Sequence, residues 1–316
     1  MVRFESTWGV YMKAFEISFF TLIRRLGYGL TSAMMLAVFP LQQYANAQSN
    51  EDGAIYEVSV FDVPGATLTQ LLDITAKGTV AGGYENGSGH HGFVLGKSGL
   101  QTVDFPGSND TDVIGINIRG DFVGAYYDSA GNQQGFRSVG GTLQPFGYPG
   151  SLAGFPRSIN TRGDIVGGYF DSASAGHGFS YIDGNFAQID FPGATLTDVF
   201  SINEARDIVG VYTLPDGSNH GFTLMDGAFQ TIDIPGATQI LLTRNNDAGS
   251  IVGDYKDGTS HVTHGFLWKD GKVSIIDGPA SSFTRLRGIN GREMIVGWFI
   301  DGAGVTHSLK ARRKDD

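Results

Sequence analysis

Five histidines recur in one setting along this chain, each opening a short apolar run: His91, His177, His220, His264 and His307. Five aspartates recur in step with them, Asp62, Asp104, Asp190, Asp233 and Asp277, each two residues before a turn proline. Imidazoles and carboxylates are ordinary metal ligands and ordinary acids and bases. A metal, however, needs donor atoms that converge at about 2 Å from one ion. Groups returning once per repeat on strands about 10 Å outside the innermost one do not converge. The two series therefore read as structure: each His bonds a neighbouring strand or loop, and each Asp accepts from turn N–H groups or from the His of its own unit. No metal and no cofactor is expected.

The remaining motifs fail on context. Gly87-Ser-Gly-His-His-Gly92 fits G-x-G-x-x-G, but it sits between strands with no helix after it to hold a phosphate. Asn109-Asp110-Thr111-Asp112 offers oxygens to Ca²⁺, yet reads first as a polar turn. H-E-x-x-H and G-x-S-x-G are absent, and with no Cys there is neither a thiolate site nor a disulfide. His90 and His261 stand outside the repeated series and are the better candidates for ligand contact.

The elements that must position these residues are set by internal repetition. Turn prolines fall at Pro64, Pro106, Pro149, Pro192, Pro235 and Pro279, with steps of 42, 43, 43, 43 and 44. In register run Val80-Ala81-Gly82, Phe122-Val123-Gly124, Ile165-Val166-Gly167, Ile208-Val209-Gly210, Ile251-Val252-Gly253 and Ile295-Val296-Gly297. The unit after Pro192 predicts strand a over Thr197–Ile202, b over Asp207–Tyr212, c over Gly221–Met225 and d over Phe229–Ile234. Asp183-Gly184, Asp226-Gly227 and Asp270-Gly271 are hairpin turns between c and d. Strand b is apolar on both faces, as a sheet covered from both sides requires. Its central Gly signals a bulge or the close approach of an adjacent blade.

Four strands in about 43 residues match a propeller blade. Ile55 to Asp62 reads as a lone strand d, and the segment after Pro279 supplies a, b and c without a d. The expectation is an all-β, six-bladed propeller of four-stranded blades over residues 48–316, its last blade completed by the N-terminal strand. The basic segment Lys310 to Lys314 reads as a solvated end.

Residues 1–47 read as a signal peptide: Lys13, Arg24 and Arg25 precede the apolar stretch from Leu26 to Leu41, and Ala45-Asn46-Ala47 supplies an A-x-A cleavage signal. The stretch is shorter than the ~20 residues of a spanning helix and is broken by Gly27, Gly29 and Pro40, which favours cleavage over anchoring. Met12 is an alternative start. Without residues 1–47 the chain keeps 18 basic and 30 acidic side chains, a net charge of about −12. Nucleic acid is excluded as a partner, because phosphate binding needs a basic surface. A secreted or periplasmic location follows.

The units INEARDIVGVYTLPDGSNHGFTLMDGAFQTIDIPGAT and INTRGDIVGGYFDSASAGHGFSYIDGNFAQIDFPGAT resemble the HAF-type extracellular repeats of bacterial exported proteins. The resemblance spans residues 55–310 and implies export and a propeller-like β fold, with no established chemistry. The chain departs from it at Gln134, Gly147 and Ser308-Leu309.

With strand a innermost, the d-to-a and b-to-c connections share one face. The b-to-c segments are the least alike parts of the units, and dissimilar loops on a repeated scaffold are the form of a binding surface. They single out Glu85, His90, Tyr127, Asp128, Asp171 and His261 as ligand-binding candidates. Tyr84, Tyr126, Tyr127, Tyr169, Phe170, Tyr212, Tyr255 and Trp298 would suit stacking on sugars, or else fill the blade core. The first functional reading is an exported binding or scaffold module for a glycan or cell-surface protein. Its rival is a polysaccharide hydrolase or lyase at the mouth of a central channel, using carboxylates or histidines such as Glu85, Asp128, Asp198 or His261. A structural surface or matrix component is the third.

Overall fold

A computed structural model describes residues 46–49 and 55–314 of the chain. Apart from the backbone of Asn46 and Ala47, the expected signal segment lies outside the described residues.

Every regular element among the described residues is a strand. Two short ones come first, β1 (Asn46–Ser49) and β2 (Ile55–Ser59). Unit 1 follows as β3 (Leu68–Ile74), β4 (Val80–Asn86), β5 (Gly89–Gly96) and β6 (Gly99–Val103). Unit 2 is β7 (Thr111–Ile116), β8 (Phe122–Tyr127), β9 (Gln133–Val139) and β10 (Thr142–Pro145). Unit 3 is β11 (Ala153–Ile159), β12 (Ile165–Phe170), β13 (Gly176–Ile182) and β14 (Asn185–Ile189). Unit 4 is β15 (Leu196–Ile202), β16 (Ile208–Thr213), β17 (Asn219–Met225) and β18 (Ala228–Ile232). Unit 5 is β19 (Ala237–Asn245), β20 (Ile251–Asp257), β21 (Thr263–Lys269) and β22 (Lys272–Ile275). Unit 6 is β23 (Ser281–Ile289), β24 (Ile295–Asp301) and β25 (Thr306–Arg313). Each unit is an antiparallel meander, a–b–c–d. The ladders form four sheets, because single parallel bridges, Gly176–Leu196 and Thr263–Phe283, join unit 3 to 4 and unit 5 to 6.

The repeated residues explain the shape of a unit. The a–b register slips at one equivalent residue in every unit, leaving Leu72, Ile114, Arg157, Phe200, Thr243 and Arg287 out of the pairing, and units 5 and 6 slip a second time at Thr238 and Ser282. This bulge bends strand a over strand b. A Cβ on the central b-strand glycine would run into a strand-a carbonyl of the same unit, Gln70 for Gly82, Asp198 for Gly210 and Leu241 for Gly253. The glycine therefore answers a bulge inside its own unit. The glycine after each His serves the contact between units: a Cβ on Gly221 or Gly265 would lie 2.8 Å from Leu242 or 2.9 Å from Leu286 of the next strand a.

The aromatic two residues beyond the His position fills the core. Phe93, Phe136, Phe179, Phe222 and Phe266 are fully buried, with Leu309 in their place in unit 6, each contributing roughly 2–3 kcal/mol of apolar burial. The c–d turns take left-handed backbone at both Asp226 (φ 49°) and Gly227 (φ 78°), the geometry of a tight hairpin.

Unit 6 takes its fourth strand from the other end of the chain. β2 pairs antiparallel with β25, from Tyr56 opposite Arg313 to Ser59 opposite Lys310. Tyr56 and Val58 are buried in one core cluster with Leu309 and Ala311. The segment from Lys310 to Arg313 is thus strand rather than a solvated end, because β2 supplies its missing partner and Arg312 reaches Glu57. On its free side β2 pairs with β1, so β1 spans the expected cleavage point after Ala47.

Candidate functional site

The repeated His and Asp meet. His91 Nδ1 lies 2.8 Å from Asp104, His177 2.9 Å from Asp190, His220 2.9 Å from Asp233, and His264 2.7 Å from Asp277. His307 reaches Asp62 at 2.8 Å, so the fifth pair ties the two ends of the chain together. Unit 2 lacks both partners, having Gln134 and Gly147. Each imidazole also lies against an aromatic ring of its own strand b, Tyr84, Tyr169, Tyr212, Tyr255 or Phe299. The turn N–H groups do not use these aspartates. The backbone N–H groups of Val63, Phe105, Phe191 and Gly278 donate instead to threonines of the following strand a, Thr69, Thr111, Thr197 and Thr284.

The dissimilar b-to-c loops converge on one kind of turn. Asp128 Oδ1 accepts from the backbone N–H groups of Ala130 and Asn132, Asp171 Oδ1 from Ala173 and Ala175, and Asp301 Oδ1 from Ala303 and Val305. These bonds hold the carboxyls of Asp128 and Asp171 below the usual range. Both candidates thus shape their own loops. His261 is exposed at the tip of the unit 5 loop, in left-handed backbone (φ 60°). Among the stacking candidates, Tyr84, Tyr169, Tyr212, Tyr255 and Trp298 are core residues.

Glu85, His90 and Tyr127 do come together, where unit 1 meets unit 2. His90 bridges in parallel to Asp110, whose carbonyl accepts from the Tyr127 N–H. His90 Nε2 lies 2.8 Å from Asp112 Oδ1, with a 12% exposed side chain. Burial disfavours its charged form, but Asp112, Asp110 and Glu85 together outweigh burial and push it up to about 9. A raised folded-state value adds stability below the unfolded value near 6.5 that is lost as pH rises through about 9. His90→Gln should therefore cost on the order of 2 kcal/mol at pH 6 and nearly nothing at pH 10. Parallel thermal denaturation series check this; a cost independent of pH would show that His90 is uncharged at the joint.

At the opposite ends of the strands, the a-to-b turns of all six units line a cavity of about 220 Å³. Its wall is a relay of amides. Asn117 Nδ2 donates to the carbonyl of Asn160, Asn160 to Asn203, Asn203 to Asn246, Asn246 to Asn290, and Asn290 to Thr75 of unit 1. Thr75 stands where the other units have asparagine, so among the described residues no side-chain amide at this position donates from unit 1 to unit 2. Each Asn Oδ1 also organises its own turn, as when Asn160 accepts from Arg162 and Asp164. The period of these asparagines, 43, 43, 43 and 44 residues, is visible in the sequence but went unused. None of the six loop candidates lines this cavity.

Beneath the relay the charges do not repeat. Arg157 of unit 3 holds Asp198 of unit 4 through Nε and Nη2 at 3.3 and 2.8 Å. Arg285 of unit 6 holds Asp254 of unit 5 at 2.6 Å. Arg244 of unit 5 reaches Asp73 of unit 1 at 3.2 Å and donates to the Ile114 carbonyl of unit 2. Burial pushes the carboxyls of Asp73 and Asp198 up despite their arginines. Groups of three or more His, Asp or Glu side chains placed to hold a metal ion are absent among the described residues.

No protein-family model matches the chain, and no curated protein matches it. Among solved structures, the chain is similar to a putative TolB from Agrobacterium tumefaciens, with 12% identity, a TM-score of 0.54, and 86% of this chain and 100% of that one covered. It is also similar to the fungal lectin of Aleuria aurantia, described as a six-bladed β-propeller with a novel fucose recognition mode. That likeness has a TM-score of 0.50 at 10% identity and covers 79% of this chain and 93% of the lectin. The fold of this chain is all-β and propeller-like.

Proposed function

We propose that the six units are the blades of one closed propeller, exported and acting as a glycan-binding module. Closure is supported by the amide relay, which starts in unit 2, visits every unit and ends in unit 1, and by β2 completing unit 6. The resemblance to HAF-type exported repeats and the lectin's fold point the same way. One observation carries the binding reading: Glu85, His90 and Tyr127, chosen for breaking the repeat, gather at one joint beside Asp110. Half-buried carboxylates, an imidazole and a phenol in one place offer sugar hydroxyls both acceptors and a ring to lie against. Hydrolysis is less well supported, since Asp198 is buried in an arginine pair and Asp128 is spent on its loop. No helix among the described residues is long and apolar enough to cross a membrane.

The test is a glycan array followed by an assay for released sugar ends. Binding without turnover is expected, with Tyr127→Ala weakening it about tenfold, near 1.4 kcal/mol. Release of sugar would establish the hydrolase instead, and failure to retain any glycan would overturn the module.

A further inference from the structure

One position in the wall of the 220 Å³ cavity breaks the repeat. Immediately before the relay residue, Ile74, Ile116, Ile159, Ile202 and Ile289 are buried in that wall, and unit 5 has Asn245 in their place. Asn245 is 7% exposed. Its Nδ2 donates to the Asp207 carbonyl of unit 4 at 3.0 Å, while its Oδ1 is buried without a hydrogen-bond partner among the described residues. Isoleucine at this position buries no polar side-chain atom, so the other five units avoid the penalty that unit 5 accepts. A buried acceptor left over in a cavity wall calls for a donor from the cavity.

The same joint between units 4 and 5 carries charge at the rim. Glu204 and Asp247 both line the cavity, and Asp247 Oδ1 accepts from the Glu204 N–H at 2.8 Å. Glu204 Oε1 is taken by the N–H and the hydroxyl of Thr161. One oxygen of each carboxylate therefore stays uncommitted among the described residues. Of the ionised groups in the lining, Asp73, Glu204 and Asp247 are negative and Arg244 alone is positive. Arg244 is spent away from this joint, on Asp73 of unit 1 and the Ile114 carbonyl of unit 2. Units 1 and 2 give the lining small or apolar groups instead, Ala76 and Ile118, the latter 38% exposed. The volume is that of roughly seven water molecules at ~30 Å³ each. An anion is repelled here, and a metal ion lacks the third carboxylate or imidazole it needs among the described residues. A neutral hydroxyl leaves the charge uncompensated, and a quaternary ammonium brings no N–H to Asn245. A primary ammonium answers both demands.

We propose that this cavity binds a small primary amine, its ammonium group held by Glu204, Asp247 and Asn245 and its short carbon chain lying against Ala76 and Ile118. The site lies at the opposite strand ends from the glycan joint and stands independently of it. The test uses the full chain, melted in the chlorides of n-propylammonium, tetramethylammonium and sodium at equal ionic strength. Propylammonium should raise the melting temperature saturably, by about 5 °C at a hundredfold excess over its Kd. Tetramethylammonium, of similar size and equal charge but without an N–H, should match sodium. Asn245→Ile, which installs the residue of the other five units, should weaken binding about tenfold, and Glu204→Gln combined with Asp247→Asn should abolish the rise. Nα-acetyl-lysine methylamide offers the same ammonium from a peptide backbone: binding as tight as that of propylammonium assigns the site to a partner's lysine side chain, and weaker binding assigns it to a free amine. Should a variant fail to fold, the wild-type comparison of the three salts decides. Equal melting in all three salts, tetramethylammonium as effective as propylammonium, or a rise that survives in both variants would each overturn the proposal.

Discussion

Deleting residues 55–63 should abolish the cooperative thermal transition of this protein. The deletion removes β2, which carries Tyr56 and Val58 into the core of unit 6 at 2% and 0% exposure. It also removes Asp62, which holds His307 and accepts from the backbone N–H of Ser308. Losing two large buried side chains and exposing the edge of β25 costs on the order of 5 kcal/mol or more. That is comparable to the whole stability of a typical domain, about 5–15 kcal/mol. Val58→Asp isolates the packing contribution, since a carboxylate buried there has no partner and should cost about 4 kcal/mol by itself. Calorimetry of both variants is the check, and a deleted chain that melts like the intact one would show that β2 is decoration.

The second large effect is expected at Arg157. Arg157→Met leaves Asp198 buried and alone, a change of about 3–5 kcal/mol, or roughly 10 °C in melting temperature for a chain of this size. Burial already holds the Asp198 carboxyl above its ordinary value while the arginine is present. In the variant the folded state therefore favours the protonated form still more. The deficit should be small below about pH 4, where the unfolded chain is protonated too, and should grow as pH rises above it. Adding Asp198→Leu should recover most of the loss, because a well-packed apolar pair replaces a buried ion pair at little cost. A double variant as unstable as the single one would mean that Arg157 acts through its stacking on Phe200, 4.3 Å away, and not through the charge.

Much of the fold was legible because its demands recur. A turn such as Asp226-Gly227 needs left-handed backbone at two positions, and few residue pairs tolerate that. The strand-b glycines recur because a carbonyl occupies the space of a side chain, which no other residue can accept. The strand limits read for unit 4 fall within two residues of the observed ones. The b-to-c loops misled for a related reason. Asp128, Asp171 and Asp301 head turns of unlike sequence, yet one carboxylate oxygen capping two N–H groups suffices to build each. Sequence dissimilarity there reports how little the turn requires. The buried ion pairs were illegible because each joins unlike positions of the repeat in two different units, as Arg244 finds Asp73. The asparagine relay could have been found: a residue repeated at the innermost strand end is where units must meet.

The relay also separates two kinds of seam. β2 and β25 meet within unit 6, where a strand ladder and the Asp62–His307 contact cover the seam. The amides stop between unit 1 and unit 2, where Thr75 stands in the asparagine's place and has no side-chain amide to pass on. There the load falls on ionised groups: Asp73 accepts from the Ile116 N–H and meets Arg244, and His90 meets Asp112. At the turn end of the strands neutral amides cross five of the joints, and at the sixth a carboxylate takes their place. At that end of the strands, acid therefore weakens the joint between units 1 and 2 while the amides at the other five keep their bonds.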